Sequence, residues 1–152
     1  RGAKGHLANT RLADAVGQGA VQAVSAVLVA CSHQPGVYGY LSSWQNGFTD
    51  CCCVLCTLTH GAPASTRELA IGAVPSLVRH ALSQPAATHS LRLPRVFTLL
   101  RTLSFGNENV SDAIAAELFA SIADADKAEA GRRLAGHLAR DNPSIAAALR
   151  RC

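Results

Sequence analysis

The sequence predicts an all-α protein, built as a helical solenoid. Alanine and leucine, two strong helix formers, dominate its 152 residues, whereas aromatic residues make up only 5%. Apolar runs of helical length alternate with short segments rich in glycine, proline and asparagine, which are turn residues. One apolar pattern also recurs, with intervals of 53 residues from Gly19 to Gly72 and 44 from Gly72 to Ala116. Repeats of about this length, with two or three helices each, are typical of helical solenoids.

The recurring pattern divides the chain into units. Gly19–Leu28 recurs as Gly72–Ala81 and, more weakly, as Ala116–Ala123. A short amphipathic piece precedes the pattern each time, and a longer apolar helix follows it. The short pieces are Arg11–Gly17, Ser65–Ile71 and Val110–Ala115; the longer helices are Asp50–His60, Pro94–Phe105 and Ala128–Arg140. We therefore expect an N-terminal extension at residues 1–10 and one repeat domain at 11–152, with units at 11–61, 65–106 and 109–141 and a partial fourth at 142–152.

Serine, proline and arginine residues mark the expected helix ends. Ser65 and Ser111 are expected to cap helices, because their hydroxyls can accept from free backbone amides. Pro94 suits a first helical turn, where it loses no backbone hydrogen bond. Arg150 and Arg151 suit the negative end of a final helix.

Charge is distributed unevenly along the chain. Charged residues make up 16% of the sequence, against roughly 25% in a typical soluble domain. From Ala15 to Thr66 the only charged residue is Asp50. An exposed apolar surface of this extent marks an interface, so we expect a protein partner, or a further part of the same protein, to cover residues 15–66. The chain also lacks methionine, which indicates a processed product or a piece of a longer protein.

Three segments resemble the armadillo-repeat family. Gly72–Leu82 is similar to that family's second-helix motif, Phe97–Gly106 is similar to the end of its third helix, and Val54–Gly61 echoes the same end. The resemblance covers roughly residues 11 to 150. It implies a right-handed armadillo/HEAT-like solenoid that binds partners along the face formed by successive third helices.

The resemblance also implies positions on that face. Import receptors and catenins of the family carry a ladder of asparagines, which clamp an extended peptide, and a tryptophan one helical turn earlier. Alignment on the terminal glycine puts Thr57, Thr102 and His137 at the asparagine positions and Cys53, Thr98 and Arg133 at the tryptophan positions. The sequence departs from the family at every rung, and a threonine hydroxyl cannot replace the two-ended amide clamp. We expect these residues, with Arg95, to line a general partner-binding face.

An aromatic cluster falls where the first unit is longer than the second. It consists of Tyr38, Tyr40 and Trp44, which include both tyrosines and the only tryptophan. Such side chains anchor interfaces, because they bury a large area and keep a polar tip. They could equally pin the inserted segment onto its own unit, and the sequence leaves these two interpretations open.

Four arginines predict an alternative, nucleic-acid contact. They are Arg79, Arg92, Arg95 and Arg101, in a stretch without acidic residues between Glu68 and Glu108. A basic strip of this kind could meet phosphates, as in a peripheral ribosomal component. The net charge of +4 is modest, however, and solvation or local ion pairs with the flanking glutamates are the simpler interpretation.

Cys53, Cys56 and His60 share one helical face, so a metal-stabilised module is a second alternative. Zinc would need a fourth ligand, for which Cys31 and His33 are candidates. Packing by small, free cysteines between helices explains the same spacing, and we expect no metal and no cofactor.

Nothing in the sequence assembles a catalytic site. Asp50–Gly61 also resembles the strand that leads to the catalytic histidine of caspases, but the only later cysteine, Cys152, lacks the expected motif. No glycine-rich phosphate loop or nucleophile elbow occurs. The apolar stretch Ala20–Cys31 is too short for a membrane span, so we expect a buried helix there. The six cysteines, three of them adjacent, indicate free thiols in a reducing, intracellular compartment such as the cytoplasm. The sequence thus predicts a non-catalytic interaction scaffold, a subunit or fragment of a larger assembly.

Overall fold

The computed structural model describes the backbone of residues 2–32, 41–83 and 95–152, and the side chains of residues 14–32, 47–83 and 95–152. All regular structure in these ranges is helical, and they contain no β-strand. The predicted all-α class is therefore confirmed. The caspase-like strand at Asp50–Gly61 is wrong, because most of this run belongs to a helix that ends at Thr59.

The helices follow one another in chain order with short connections. They are α1 (Gly2–Ser32), α2 (Leu41–Thr59), α3 (Ala64–Glu68), a 3-10 turn (Ile71–Ala73), α4 (Val74–Ser83), α5 (Arg95–Ser104), α6 (Glu108–Ala123), α7 (Ala128–Ala139) and α8 (Pro143–Arg151). The three longer helices that the sequence predicts at the ends of the units correspond to α2, α5 and α7.

The first unit differs from the prediction at its N-terminal side. Residues 2–10, the piece Arg11–Gly17 and the motif Gly19–Leu28 form one continuous helix, α1. Glycine inside a helix costs only about 1 kcal/mol relative to alanine, so Gly17 and Gly19 do not end it. In the third unit, the predicted piece Val110–Ala115 and the motif Ala116–Ala123 likewise belong to one continuous helix, α6.

The helices pack mainly against their neighbours in the sequence. α1 and α2 pack together; α1 also contacts α3, the 3-10 turn and α4, while α2 contacts α5. α6 contacts α3, α4, α5 and α7, and α8 packs on both α6 and α7. The extensive contacts among the described residues thus run within one unit or between consecutive units.

Leucine and isoleucine side chains fill the spaces between these helices. Fully buried examples are Leu28 of α1, Leu55 of α2, Leu77 of α4, Leu100 of α5, Ile114 of α6 and Ile145 of α8. Each buried side chain of this size contributes about 1.5–3 kcal/mol relative to an exposed one. The core therefore continues through all the units.

The first two units end in the same way, and the third does not. Gly61 after α2 and Gly106 after α5 both have left-handed backbone, with φ of 70° and 64°. Glycine adopts this conformation without steric cost, and it commonly ends helices. Asp141 takes that place after α7, and no residue other than glycine has positive φ in the described part of the chain. The glycine ends therefore support the repeat alignment of the first two units.

Two buried asparagines begin the helices that follow. Asn107 Oδ1 accepts from Val110 N at 3.3 Å, and Asn142 Oδ1 accepts from Ile145 N at 3.3 Å. The predicted cap Ser111 instead lies inside α6, where its hydroxyl donates to Asn107 O at 2.7 Å. The prediction is wrong because α6 begins a full turn earlier than the sequence pattern indicates.

The same asparagines also bond to helices that lie earlier in the chain. Asn142 Nδ2 donates to Ser104 Oγ of α5 at 2.8 Å, and Asn107 Nδ2 donates to Ala64 O of α3 at 3.2 Å. Buried polar atoms need such partners, since leaving one unsatisfied costs about 1–3 kcal/mol. Each asparagine therefore begins its own helix and fixes the start of that helix against an earlier one, α3 for Asn107 and α5 for Asn142.

We predict that Asn142→Ala lowers the free energy of unfolding by about 2 kcal/mol, because it removes a helix cap and a buried hydrogen bond together. Urea unfolding followed by circular dichroism measures the change. Asn109→Ala is the matched control: its exposed side chain bonds only to Glu68 Oε1 at 3.0 Å. We expect the control to lie within about 0.5 kcal/mol of wild type. Equal losses in the two variants would contradict this role of Asn142.

Candidate functional site

The predicted partner-binding face is carried by α2, α5 and α7. Thr57, Arg95, Thr98 and Arg133 are exposed there, while Thr102 and His137 are half-buried. α2 packs directly against α5. The ring of His137 of α7 packs against the ring of Phe97 of α5, with the ring centroids 5.1 Å apart. We call the surface that these six residues form on α2, α5 and α7 the third-helix face.

Two threonines on this face, Thr57 and Thr102, use their hydroxyl protons within their own helices. Thr57 Oγ1 donates to Cys53 O at 3.1 Å, and Thr102 Oγ1 donates to Thr98 O at 2.8 Å. Because this proton is already used, each hydroxyl oxygen can accept a hydrogen bond from a partner but cannot donate one. That chemistry differs from an asparagine amide, which donates and accepts at once.

A groove of about 400 Å³ lies where α2 and α5 end. Its lining consists of Thr59, His60, Gly61, Ala62, Arg67, Arg101, Thr102 and Phe105. Phe105 lies at the edge of this groove, and 58% of its accessible area is exposed. The groove therefore combines basic side chains with an accessible aromatic ring.

Arg67 is a residue of this groove that the sequence analysis missed. Its Nη1 donates to Thr102 O at 3.2 Å, to Leu103 O at 3.4 Å and to Phe105 O. These carbonyls end α5, so the guanidinium satisfies free acceptors and lies at the negative end of the helix. Because the contacts join residues 35 to 38 positions apart, no local pattern indicates them.

A smaller cleft of about 60 Å³ continues the third-helix face toward α7. It is lined by Phe97, Thr98, Arg101, His137 and Leu138. Arg101 forms an ion pair with Asp141 at 3.6 Å, in which both side chains are largely exposed. Exposed pairs of this kind contribute little stability, and Arg101 can exchange its partner at small cost.

The four predicted arginines do not form one strip. Arg79 lies on α4 and lines a groove of about 430 Å³ beside Glu117, Asp124 and Lys127. Arg95 and Arg101 lie on α5, and Arg101 lines the other two grooves. Arg92 lies outside the described residues. The prediction of a continuous basic strip is therefore wrong for Arg79, since α4 and α5 turn their exposed sides to different grooves.

The aromatic cluster cannot be assigned to a surface. Tyr38 and Tyr40 lie outside the described residues. Trp44 belongs to α2, and its side chain is outside the described set. Its two interpretations therefore remain as the sequence leaves them.

The metal candidates do not assemble. Among the described residues no group of three or more histidine, cysteine or acidic side chains could hold a metal ion, so Cys53, Cys56 and His60 are not a ligand set there. Desolvation and, to a smaller extent, neighbouring thiols raise the pKa of Cys52 to about 12 and that of Cys56 to about 11. Metal binding and nucleophilic attack both need the thiolate, and the raised pKa values keep Cys52 and Cys56 in the protonated thiol form at neutral pH. All six cysteines are free.

α1 exposes one long side that carries no charge. The prediction of a buried helix at Ala20–Cys31 is wrong, because within Asp14–Ser32, where the side chains are described, one side of α1 packs into the core, through Val21, Ser25 and Leu28. The opposite side is exposed, and Val16 and Val27 retain 64% and 53% of their accessible area. We call this side the α1 open face; it consists of Val16, Gly19, Ala23, Ala26, Val27 and Ala30.

By length and composition, part of α1 could also cross a membrane. Asp14–Ser32 has 19 residues and a mean hydropathy of 1.5, and 17% of it is buried in the fold. One helix of this kind is weak evidence for a membrane span, because core helices and N-terminal signal sequences share these properties. The expectation of no membrane span stays a prediction.

We predict that iodoacetamide at pH 8 labels the exposed Cys152 in the native protein and leaves Cys52 unlabelled. Cys52 is fully buried, and its raised pKa keeps the thiol protonated at this pH. Peptide mapping by mass spectrometry measures both sites, and unfolding in urea, which removes the burial, is the control that exposes Cys52 to labelling.

The same raised pKa gives a pH dependence of stability. Cys52 contributes most below its ordinary pKa of 9.0, and the contribution is lost as the pH rises toward about 12. We expect the free energy of unfolding to fall above about pH 9. Rapid labelling of native Cys52 at pH 8 would contradict the assignment.

The comparisons with known proteins give no family for this chain. No protein-family model matches it, and neither a curated protein nor a solved structure shows significant similarity. A proposal of function therefore depends on the geometry of the chain itself.

Proposed function

We propose that this chain is a non-catalytic protein-interaction scaffold, a subunit or fragment of a larger intracellular assembly. We further propose that its units stack as the right-handed armadillo-like solenoid that the sequence predicts. The extensive contacts within units and between consecutive units support this stacking, because repeat proteins bury their cores only between neighbours. The glycine ends of α2 and α5, at matching positions, support it further.

The single observation that carries the proposal is the α1 open face. Soluble surfaces normally intersperse charges, and a helix side of this length without any charge marks a contact with another molecule. The opposite end of the stack is finished differently. There Arg151 of α8 pairs with Asp112 Oδ1 at 2.6 Å and with Glu108 Oε1 at 3.6 Å on α6. The chain thus has one polar end and one apolar end, and we assign the partner to the apolar end.

The third-helix face is the second contact surface in this proposal. Thr57, Thr102 and His137 offer hydrogen-bonding atoms, and Arg95, Arg101 and Arg133 offer positive charge. Arg133 already pairs with Glu129 at 3.5 Å within α7. A partner at this face would therefore exchange exposed ion pairs, which favours modest affinity and sensitivity to salt.

The nucleic-acid alternative has less support. Arg79 and Arg101 line separate grooves, and both have acidic side chains nearby, Glu117 beside the first and Asp141 paired with the second. Nucleic-acid sites instead collect basic side chains on one surface, with few acids among them. The proposed compartment is reducing and intracellular, in the cytoplasm, and the six free thiols support it.

The test is copurification from the native source with the tagged full chain, followed by quantitative mass spectrometry. We expect Ala23→Glu, which places a charge in the middle of the α1 open face, to lose the proteins that wild type retains. Burial of an unpaired charge disfavours the contact strongly.

Ala116→Glu is the matched control, since Ala116 is likewise an exposed alanine within a long helix, α6. We expect this variant to retain the wild-type set of proteins, and circular dichroism establishes that both variants stay folded. If wild type enriches no protein over the tag alone, the scaffold proposal fails. If Ala23→Glu retains every partner, the assignment to α1 fails.

A further inference from the structure

Two cysteine side chains meet where α1 packs on α2. Cys31 lies in the last turn of α1, Cys51 lies within α2, and a hydrogen bond joins their thiol groups. Both side chains are half-buried, and neither belongs to a disulfide. The pair therefore bridges two helices through residues that are 20 positions apart in the sequence.

A glycine on α2 gives a second view of the same contact. Gly47 lies four residues before Cys51, about one helical turn, so the two positions share one side of α2. A Cβ added at Gly47 would lie 3.8 Å from Cys31 Sγ, which is ordinary van der Waals contact. The position of Gly47 thus independently places the Cys31 sulfur against the side of α2 that carries Cys51.

Neighbouring residues fix both helices at this contact. Next to Cys31, Ser32 Oγ donates to Ser76 Oγ of α4 at 2.9 Å. On α2, Phe48 is buried, and its ring stacks on that of His80 of α4 with the centroids 4.3 Å apart. A disulfide forms without backbone movement only where the two cysteines are already close and face each other. The anchored ends of α1 and α2 meet this requirement.

The other cysteines of α2 are less suited to a bond with α1. Cys52 is fully buried, and mainly this burial raises its pKa to about 12, so its thiolate is scarce. Cys53 lies roughly 200° around the helix from Cys51, on the other side of α2. Cys56 follows Cys53 by three residues on the same helix, so a bond between those two would join no other element.

We propose that Cys31 and Cys51 form an oxidation site, at which a low-molecular-weight disulfide such as oxidised glutathione produces a reversible disulfide bond between α1 and α2. This inference goes beyond the proposed function and does not depend on it. The bond attaches the helix that carries the α1 open face covalently to α2. Separation of α1 from α2 then requires reduction.

The reaction is a thiol–disulfide exchange in two steps. One protein thiolate attacks the glutathione disulfide, which forms a mixed disulfide and releases one glutathione. The second protein thiolate attacks the protein sulfur of that mixed disulfide and releases the second glutathione. The protein loses two electrons and two protons, and the two glutathione thiols carry them away.

The exchange is expected to be faster in alkaline solution. In either order of the two steps, one attack comes from Cys51. Burial, the neighbouring Cys31 thiol and the Asp50 carboxylate raise the pKa of Cys51, so its thiolate forms only as the pH rises.

The test uses the full chain with Cys152→Ser, which removes the exposed thiol and with it the simplest link between two chains. The folded protein is incubated with excess oxidised glutathione at about pH 8.5, close to the ordinary pKa of a thiol. N-ethylmaleimide in urea then blocks the remaining thiols, and unreduced peptides are mapped by mass spectrometry. Chymotrypsin is the suitable protease, because no lysine or arginine lies between Arg11 and Arg67, whereas Trp44 and Phe48 separate the two cysteines.

We expect one bond per chain, between the peptide with Cys31 and the peptide with Cys51. Dithiothreitol should reverse it, and circular dichroism should show the same helix content before and after. Cys31→Ser and Cys51→Ser should each lose the bond. Cys53→Ser is the matched control, since Cys53 is also half-buried on α2, and it should keep the bond. Electron-transfer fragmentation locates the linked residue among the three adjacent cysteines even if a variant fails to fold.

Four outcomes would overturn the proposal. They are thiols that all stay free, glutathione adducts that persist on Cys31 or Cys51, a bond confined to Cys53 and Cys56, and a bond that forms only with loss of helix content. An interhelical bond that persists in Cys51→Ser would overturn the assignment to Cys51. None of these outcomes alters the copurification result, so the oxidation site and the scaffold proposal fail separately.

Discussion

Burial of apolar helix surface between neighbouring units is the constraint on which the rest of this structure depends. Among the described residues α1 packs on α2, α3, the 3-10 turn and α4, whereas α8 packs on α6 and α7, and these two helices differ in how their other sides are finished. At α8 the solution is polar: Arg151 bonds to Asp112 and Glu108, and Asn142 caps the helix while it bonds to Ser104. At α1 no charged side chain takes this role after Asp14. This asymmetry leaves the α1 open face as an uncharged exposed surface.

Polar contacts between helices set the positions of helices that apolar packing alone would leave adjustable. Apolar contacts are non-directional, whereas a hydrogen bond fixes distance and angle. Asn107 ties the start of α6 to Ala64, and Arg67 ties α3 to the last carbonyls of α5. The grooves beside these contacts are therefore held by directional bonds, which limits the shapes that the third-helix face can take.

The sequence was sufficient for what depends on local signals, and insufficient for what depends on distant contacts. Apolar runs located α2, α5 and α7, and glycines marked the ends of α2 and α5, since periodicity and left-handed turns are local properties. The break expected at Gly17 was wrong, because one glycine costs less than the helix around it gains. Arg67 was missed, since its acceptors lie 35 to 38 residues away. The basic strip failed for the same reason, as only packing decides which arginines share a groove.

The exposure of α1 bears on whether this helix meets protein or lipid. A membrane span needs apolar side chains toward lipid on every open side, and its backbone must leave the soluble fold. Val21 and Leu28 of α1 are fully buried, and α1 packs on α2, the 3-10 turn and α4, so insertion of α1 into a bilayer would expose those elements to water. A contact on the open face keeps this core intact and removes only the remaining apolar side from water. This comparison supports our proposal that a protein, and not a bilayer, covers the open face.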